Sequence, residues 1–264
     1  MSFGPVITLL TDFGEQDGYV AAMKGVILKY APDATVVDAS HDVPPQDIPF
    51  GAWTLNQYAM WYPENSVHVG VVDPGVGTER DILLARAGGQ WFLVPDNGLL
   101  AWALSETEPE ELRALTPAFT ASCAPSSTFH GRDIFARVAA GLVAGELNPL
   151  EIAHPVSETV RNIPTRPRTE ARRLVGEVVH IDRFGNLISN IRKKDVEKAG
   201  ATSYRVHVAR TTFDRLSKTY GEAAPGTWMA LWNSCDHLEV AVVNGSAAGA
   251  LKLQREERVV LEWT

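Results

Sequence analysis

Two carboxylates in the N-terminal half each follow directly on an apolar run. Asp12 follows PVITLLT, and Asp73 follows VHVGVV. Such runs predict buried strands, and groups just beyond the carboxyl ends of strands in an open α/β sheet face the place where ligands bind. Asp12 is therefore a candidate for two ribose hydroxyls or for a metal ion. The alternative for this stretch is helix capping, by Asp17 in particular.

Asp73 opens the segment VGVVDPGVGTER, which ends at Arg80. Proline and glycine between the two charges predict a tight turn with unusual backbone angles. The turn brings the guanidinium of Arg80 back toward Asp73. The resulting ion pair either holds a reacting group or only braces a loop, and the residues alone leave both possibilities open.

A histidine and an amide stand on further loops after predicted strands. His130, in STFHGRDIF, precedes a helix whose positive end disfavours imidazolium, so we expect a neutral ring. A lone histidine is otherwise most often structural. Asp96 and Asn97, in LVPDNGLL, favour a turn, and a supporting role near the site is the second possibility.

The C-terminal part offers groups suited to an amino acid and a flat base. In IDRFGNLISN, Asp182 could pair with an ammonium, Phe184 could stack on a base, and Asn186 could read an adenine edge. Ser234 could hydrogen-bond a carboxylate. The alternative for the first three is a β-turn with a buried aromatic residue.

Composition limits the remaining classes of function. With 45% hydrophobic and 21% charged residues the chain is typical of a folded globular enzyme, and a net charge of −8 gives no nucleic-acid signature. HExxH, CxxC and a glycine-rich phosphate loop are all missing, so we expect no metal and no cofactor. Cys123 and Cys235 suggest a reducing compartment. No leader or membrane-spanning segment is recognisable, so a cytoplasmic protein is expected.

The elements that position these groups change character near residue 160. Residues 1–160 alternate strand and helix patterns, which predicts an α/β sandwich-type domain with a largely parallel sheet. ILLARA and WFLVP predict a hairpin over two glycines. Residues 161–173 are rich in proline and arginine and predict a linker. Residues 174–264 predict a smaller antiparallel β domain.

Six stretches in order resemble the SAM hydroxide adenosyltransferase family, the SAM hydrolases related to the SAM-dependent fluorinase and chlorinase. They span nearly the whole chain: TLLTDFGEQDGYVAAMKGVI, VGVVDPGVGTER, LVPDNGLL, FHGRDIFARVAAGL, IDRFGNLISNI and NSCDHLEVAVVNGSAAG. The resemblance implies a two-domain fold and a homotrimer with sites between subunits. It also implies conversion of S-adenosyl-L-methionine and water into adenosine and L-methionine, with SAM as substrate and no cofactor.

The resemblance also implies roles for single residues. The catalytic set falls on Asp73, Arg80 and His130, which would hold and activate the water, and the ribose-binding acid falls on Asp12. The remaining substrate contacts fall on Asp182 for the methionine ammonium, Phe184 and Asn186 for adenine, and Ser234 for the methionine carboxylate. Cys235 departs from the halogenase relatives, which carry an arginine at this place, and this puts the carboxylate contact in question.

Three other functions compete with hydrolysis of SAM. A halogenase would add chloride or fluoride to C5′ of SAM, the carbon that water attacks in hydrolysis. An Arg–Asp–His set around the nucleophile favours water instead. A metal-dependent ribohydrolase would use the acidic loop TDFGEQD to hold an ion around a ribose. A SAM- or adenosine-binding sensor would bind without turnover. The identity of the product tests for a halogenase, and loss of activity with a chelator tests for a metal-dependent ribohydrolase. Binding of SAM without any product would indicate a sensor.

Overall fold

The computed structural model describes residues 5–105, 107–198 and 203–263. The chain divides into two compact units, Met1–Ile163 and Pro164–Thr264. Within the described residues, no helix has both the length and the apolar composition needed to cross a bilayer. Each unit has its own sheet and its own hydrophobic core.

The first unit is built on a seven-stranded sheet in the order β2-β1-β3-β5-β4-β6-β7. Its strands are β1 (Val6–Thr11), β2 (Thr35–Ser40), β3 (Val67–Val71), β4 (Ile82–Ala87), β5 (Gln90–Pro95), β6 (Glu111–Leu115) and β7 (Ala153–Pro155). Its helices are α1 (Tyr19–Tyr30), α2 (Ile48–Ala59), α3 (Pro117–Ser122), α4 (Arg137–Val143) and α5 (Pro149–Ile152), and a π-helical stretch (Gly131–Ala136) leads into α4.

The sheet is mixed, whereas the sequence predicts a largely parallel one. The pairings β2–β1, β1–β3 and β3–β5 are parallel, and β5–β4, β4–β6 and β6–β7 are antiparallel. Parallel neighbours need a long crossover, usually a helix, and β4 and β5 are joined only by a tight hairpin. That hairpin, which the sequence does predict, reverses the chain and makes this half of the sheet antiparallel.

Alternate faces of β1 and β3 pack against different helices. Ile7 and Leu9 belong to the core that contains Met23 of α1 and Phe135 of the π-helical stretch. The other face of β1 meets α2, where Tyr58 lies within hydrogen-bonding distance of Thr8. Because side chains alternate along a strand, the sheet is buried on both sides and its loops carry the polar groups.

The second unit is an eight-stranded sheet with antiparallel pairings between all its strands, as the sequence predicts. Its elements are β8 (Arg168–Glu170), β9 (Arg173–Ile181), β10 (Leu187–Arg192), β11 (Tyr204–Val208), β12 (Thr211–Phe213), β13 (Trp228–Trp232), β14 (His237–Val242), β15 (Arg258–Trp263), α6 (Lys193–Lys198) and α7 (Ala247–Leu251). The segment 161–173, predicted as a linker, contains β8. The charged sequence of β8 has no apolar pattern that would reveal a strand.

Candidate active site

One loop between β3 and β4 carries both Asp73 and Arg80. Nε of Arg80 donates hydrogen bonds to both carboxylate oxygens of Asp73 at 2.9 Å, and Nη2 of Arg80 also donates to Oδ2. The side chains are 11% exposed for Arg80 and 4% exposed for Asp73. A charge-assisted contact through several donors fixes both position and orientation. The loop therefore presents a carboxylate whose direction is set by the guanidinium.

The same guanidinium reaches His130, with 3.1 Å between Nη2 of Arg80 and Nδ1 of His130. Arginine has donors only, so Nδ1 accepts and a neutral ring carries its proton on Nε2. Burial lowers the pKa of His130, and the positive charge of Arg80 lowers it further, while Asp73 and Asp133 oppose the shift. The lowered pKa agrees with the expected neutral ring, and burial and Arg80 are its causes.

Asp12 lies on a cavity of about 620 Å³ that is also lined by Asp73 and His130. Oδ2 of Asp12 accepts a hydrogen bond of 2.8 Å from the backbone N–H of Gln46. Gln46 has a φ of 65°, a left-handed conformation that is uncommon for a residue other than glycine. Such strain persists where the surroundings impose it, often at ligand sites. The first unit thus places three predicted site residues around one cavity.

An aromatic wall completes this cavity on one side. Phe13, Tyr19 and Phe129 all line it, and their ring centroids lie 5.1–5.9 Å apart in tilted or edge-on arrangements. These separations are typical of favourable aromatic pairs. The wall joins the loop after β1 to the loop that carries His130. Sequence analysis did not select these rings, although all three lie inside the motifs that it did select.

Two further features fix the position of the loop that carries Asp73. Gly77 has a φ of 79°, and a Cβ at this position would lie 2.5 Å from the carbonyl oxygen of Ser127, so only glycine fits. Nδ2 of Asn97 donates to the carbonyl oxygen of Val72 at 2.8 Å, directly before Asp73. Asn97 therefore has the supporting place that the sequence offered as the second possibility.

Asp17 does not cap helix α1. The N-cap residue of α1 is Gly18, and no side chain there makes a capping hydrogen bond. Asp17 is exposed on the loop after β1.

In the second unit, Asp182, Phe184 and Asn186 share one turn between β9 and β10. Oδ1 of Asp182 accepts from the backbone N–H groups of Phe184 (2.9 Å) and Asn186 (2.8 Å), and Oδ2 accepts from Nδ2 of Asn186 (2.9 Å). The turn also packs on the 244–248 segment, because Ala248 N–H donates to the carbonyl oxygen of Gly185. The ring of Phe184 is 75% exposed. The turn is thus rigid, and its aromatic residue is exposed rather than buried.

Ser234 stands on a different turn of the second unit. This turn precedes β14, and β14 begins beside the end of β10, because His237 pairs with Arg192. The turn that holds Asp182 precedes the start of β10. Within the described residues, no hydrogen bond joins Ser234 to the turn of Asp182. Ser234 is exposed, and its Oγ lies 4.0 Å from Sγ of Cys235.

Sequence comparisons assign the chain to a family. The family model for the SAM hydroxide adenosyltransferase N-terminal domain matches residues 7–153, and the model for the C-terminal domain matches residues 176–260. The chain belongs to the SAM hydroxide adenosyltransferase family. The matched residues include the Asp73–Arg80 loop and His130 in the first domain, and both turns of the second unit in the other.

Individual members of the family are similar over most of their length. The (R)-S-adenosyl-L-methionine hydrolase of Thermus thermophilus is 40% identical, covering 94% of this chain and 96% of the relative. The fluorinase of Nocardia brasiliensis is 31% identical and covers 90% of both chains. The crystal structure of an uncharacterised conserved protein from Thermotoga maritima has a TM-score of 0.86 at 31% identity, covering 97% of this chain.

The family membership and the structure together separate the predicted site residues into two sets. Asp12, Asp73, Arg80 and His130 meet in the first unit, whereas Asp182, Phe184, Asn186 and Ser234 lie in the second. Sequence reasoning missed the aromatic wall, whose signal was its place in the motifs of Asp12 and His130. It also missed Gln46, which lies 34 positions from Asp12 and gave no local signal. Among the described residues, no group of three or more metal-ligating side chains is found.

Proposed function

We propose that this protein hydrolyses S-adenosyl-L-methionine to adenosine and L-methionine. The water oxygen forms a bond to C5′ of the substrate while the C5′–S bond breaks. The bonding electron pair stays on sulfur, which leaves as the neutral thioether of methionine, and the water loses one proton. Because the sulfonium needs no acid to leave, catalysis depends on placing and activating the water. Positioning contributes on the order of 7–11 kcal/mol to such reactions.

The arrangement of Asp73, Arg80 and His130 is the observation that carries this proposal. Arg80 occupies Nδ1 of His130, so the histidine acts through its Nε2–H and orients the water by donating to the oxygen. Asp73 is then the acceptor for a water proton. Arg80 favours the developing hydroxide electrostatically in a site with little solvent. The three side chains therefore have different roles.

Substrate contacts form the second part of the proposal. Asp12 binds the ribose hydroxyls, Asp182 the ammonium, Phe184 and Asn186 the adenine, and Ser234 the carboxylate. The exposed ring of Phe184 supports stacking on a base. We also propose the homotrimer that the family resemblance implies, in which neighbouring copies complete each site. Light scattering after gel filtration should give three times the mass of the single chain.

The decisive experiment is a chromatographic assay of the purified protein with SAM in a buffer that contains chloride and fluoride. We expect adenosine and methionine in equal amounts, with and without EDTA. The names of the hydrolase relatives specify the (R) sulfonium. We extend this preference to the present chain, so each sulfonium epimer is assayed separately and the (R) epimer should react faster.

A SAM-dependent halogenase is the second candidate because fluorinases cover most of the chain at 30–31% identity. A halide needs no proton acceptor, whereas the carboxylate and histidine around this cavity suit water. Formation of 5′-halo-5′-deoxyadenosine would show that the protein is a halogenase and not a hydrolase. Loss of activity in EDTA would favour a metal-dependent ribohydrolase, and tight SAM binding without product would favour a sensor.

A further inference from the structure

Strand β1 carries two buried threonines that make the same kind of contact with a histidine. Oγ1 of Thr8 lies 2.9 Å from Nδ1 of His68, and Oγ1 of Thr11 lies 2.8 Å from Nδ1 of His41. All four residues are at most 4% exposed. The two pairs differ in what surrounds them, which separates a packing role from a role at the site.

The Thr8–His68 pair is surrounded by side chains of the protein interior. Rings of Tyr58, Tyr62 and Phe92 lie 5.3–5.6 Å from the ring of His68. None of these five residues lines the cavity that contains Asp12. This pair satisfies buried polar groups inside the core.

The Thr11–His41 pair reaches both sides of Asp12. Backbone N–H of Phe13 donates to Oγ1 of Thr11 at 3.3 Å, and backbone N–H of Gly14 donates to the carbonyl oxygen of His41 at 2.9 Å. His41 therefore holds the chain before Asp12 through its side chain and the chain after Asp12 through its backbone. Gln46, five residues further along, holds the carboxylate itself.

The hydrogen bonds around His41 run in one direction. Oδ1 of Asp38 lies 3.0 Å from Nε2 of His41, and Lys24 holds the other oxygen of Asp38. A carboxylate accepts, so in the neutral ring Nε2 carries the proton and Nδ1 accepts from the hydroxyl of Thr11. The threonine oxygen is then free to accept from Phe13 N–H. Hydrogen bonds from His41 and Lys24 outweigh burial and lower the pKa of Asp38, which keeps it in the accepting form.

We propose that His41 is a positioning residue for ribose recognition, acting through Thr11 to orient Asp12 toward the ribose hydroxyls. The inference rests on the ribose-binding role of Asp12 in the proposed function, but it does not require that the protein hydrolyse SAM. It separates His41 from His68, which makes the same contact on the same strand.

The test compares the binding of adenosine and 2′,3′-dideoxyadenosine by calorimetry. The variants are His41→Leu, which removes both hydrogen bonds, His41→Asn, whose Oδ1 can replace Nδ1 as acceptor, and the matched control His68→Leu. We expect His41→Leu to weaken adenosine binding by about tenfold, the net effect of one or two hydrogen bonds, and to leave dideoxyadenosine binding unchanged. His41→Asn should recover most of this loss. His68→Leu should reduce thermal stability and preserve the preference for adenosine.

Equal weakening of both nucleosides in His41→Leu would reduce His41 to a structural residue and overturn the inference. If that variant does not fold, Thr11→Val against Thr11→Ser gives the same comparison from the other partner. A wild-type protein that prefers adenosine but releases no product would contradict hydrolysis and leave the inference intact. A wild-type protein that does not prefer adenosine would overturn the ribose-binding role of Asp12 and with it the inference, whereas hydrolysis is tested separately by product formation.

Discussion

At the residue scale, Arg80 connects two different functional groups through one guanidinium. Its Nε and Nη2 contact Asp73, and its Nη2 also contacts His130. The guanidinium is planar and rigid, so its contacts fix the orientation of the carboxylate relative to the imidazole. A lysine has the same charge but presents it as a point and does not match this geometry.

Arg80→Lys should therefore lower kcat by about 10²-fold, the usual effect of a misplacement of about 1 Å, and change KM for SAM little. Steady-state kinetics measures both constants. Arg113→Lys is a matched control, because Arg113 forms a half-buried ion pair with Glu111 on β6 of the same unit. A kcat near the wild-type value in Arg80→Lys would show that charge alone suffices.

The lowered pKa of His130 predicts a pH profile. Protonation would place an N–H on Nδ1 against the guanidinium of Arg80 and break their contact. Since burial and Arg80 favour the neutral ring, kcat/KM should stay high as pH falls to about 6.5 and decline below it. In His130→Asn, which retains an acceptor for Arg80 and cannot titrate, this decline should disappear. The same acid limb in both proteins would assign it to another group.

At the element scale, the antiparallel direction of β4 brings Arg80 to Asp73. β3 and β5 are parallel, and β4 is antiparallel to β5, so β4 begins at the edge of the sheet where β3 ends. In a wholly parallel sheet, β4 would begin at the opposite edge, about 17–20 Å away for strands of this length. The hairpin that the sequence predicts between β4 and β5 is thus the feature that assembles the pair, although it makes the sheet less parallel than the sequence analysis expected.

Gly77 links the two loops that carry Asp73 and His130, and Gly77→Ala should separate them. A left-handed φ and the close approach of the Ser127 carbonyl oxygen both oppose a side chain there. We expect kcat to fall by about 10²-fold. Gly145→Ala is the control, because Gly145 has a φ of 72° and a Cβ added there would meet no heavy atom within 4 Å. It should lose stability through backbone strain without losing kcat.

Most elements with a strong apolar pattern could be predicted from the sequence, including α1, α2 and the β4–β5 hairpin. β6 and β15 were missed because charged residues interrupt their apolar positions. The short helix α7, in the segment NGSAAGAL, was also missed. Small residues give no helical pattern, and Ser246, whose side chain accepts from Gly249 N–H, begins this helix.

At the scale of the whole molecule, each unit contains a buried histidine with a strongly lowered pKa. Burial lowers the pKa of His68 to about 4 against opposing hydrogen bonds from Gln90 and the Ala59 backbone. In the second unit, burial and the charge of Arg192 lower the pKa of His237 to about 4. Both rings are neutral in the folded protein at neutral pH.

These values predict acid destabilisation of both units. An unfolded histidine takes up its proton near pH 6.5, whereas the folded ring does so near pH 4, so stability is lost as pH falls between these values. The loss amounts to as much as about 3 kcal/mol per histidine. Urea unfolding at pH 7, 5.5 and 4.5 measures it. His68→Gln and His237→Gln should each flatten the dependence, whereas exposed His154→Gln should not.

The candidate site was predictable only where its residues lie in short motifs. Asp12 and Asp73 follow strands, Arg80 precedes β4 and His130 precedes a helical stretch, and local sequence identifies such positions. The contact of Thr11 with His41 joins residues 30 positions apart. It depends on the register of β1 with β2, which shifts between Leu9 and Leu10. No local pattern encodes that register shift.

The loop between β3 and β4 also has a consequence for evolution. Its acid and its guanidinium are seven positions apart, with the turn between them. Recombination that transfers this short segment transfers the whole pair, so the two charges are inherited together. Residues of the second unit can meanwhile diverge without separating them. A lineage can therefore accumulate changes in the second unit while the Asp73–Arg80 pair descends unaltered.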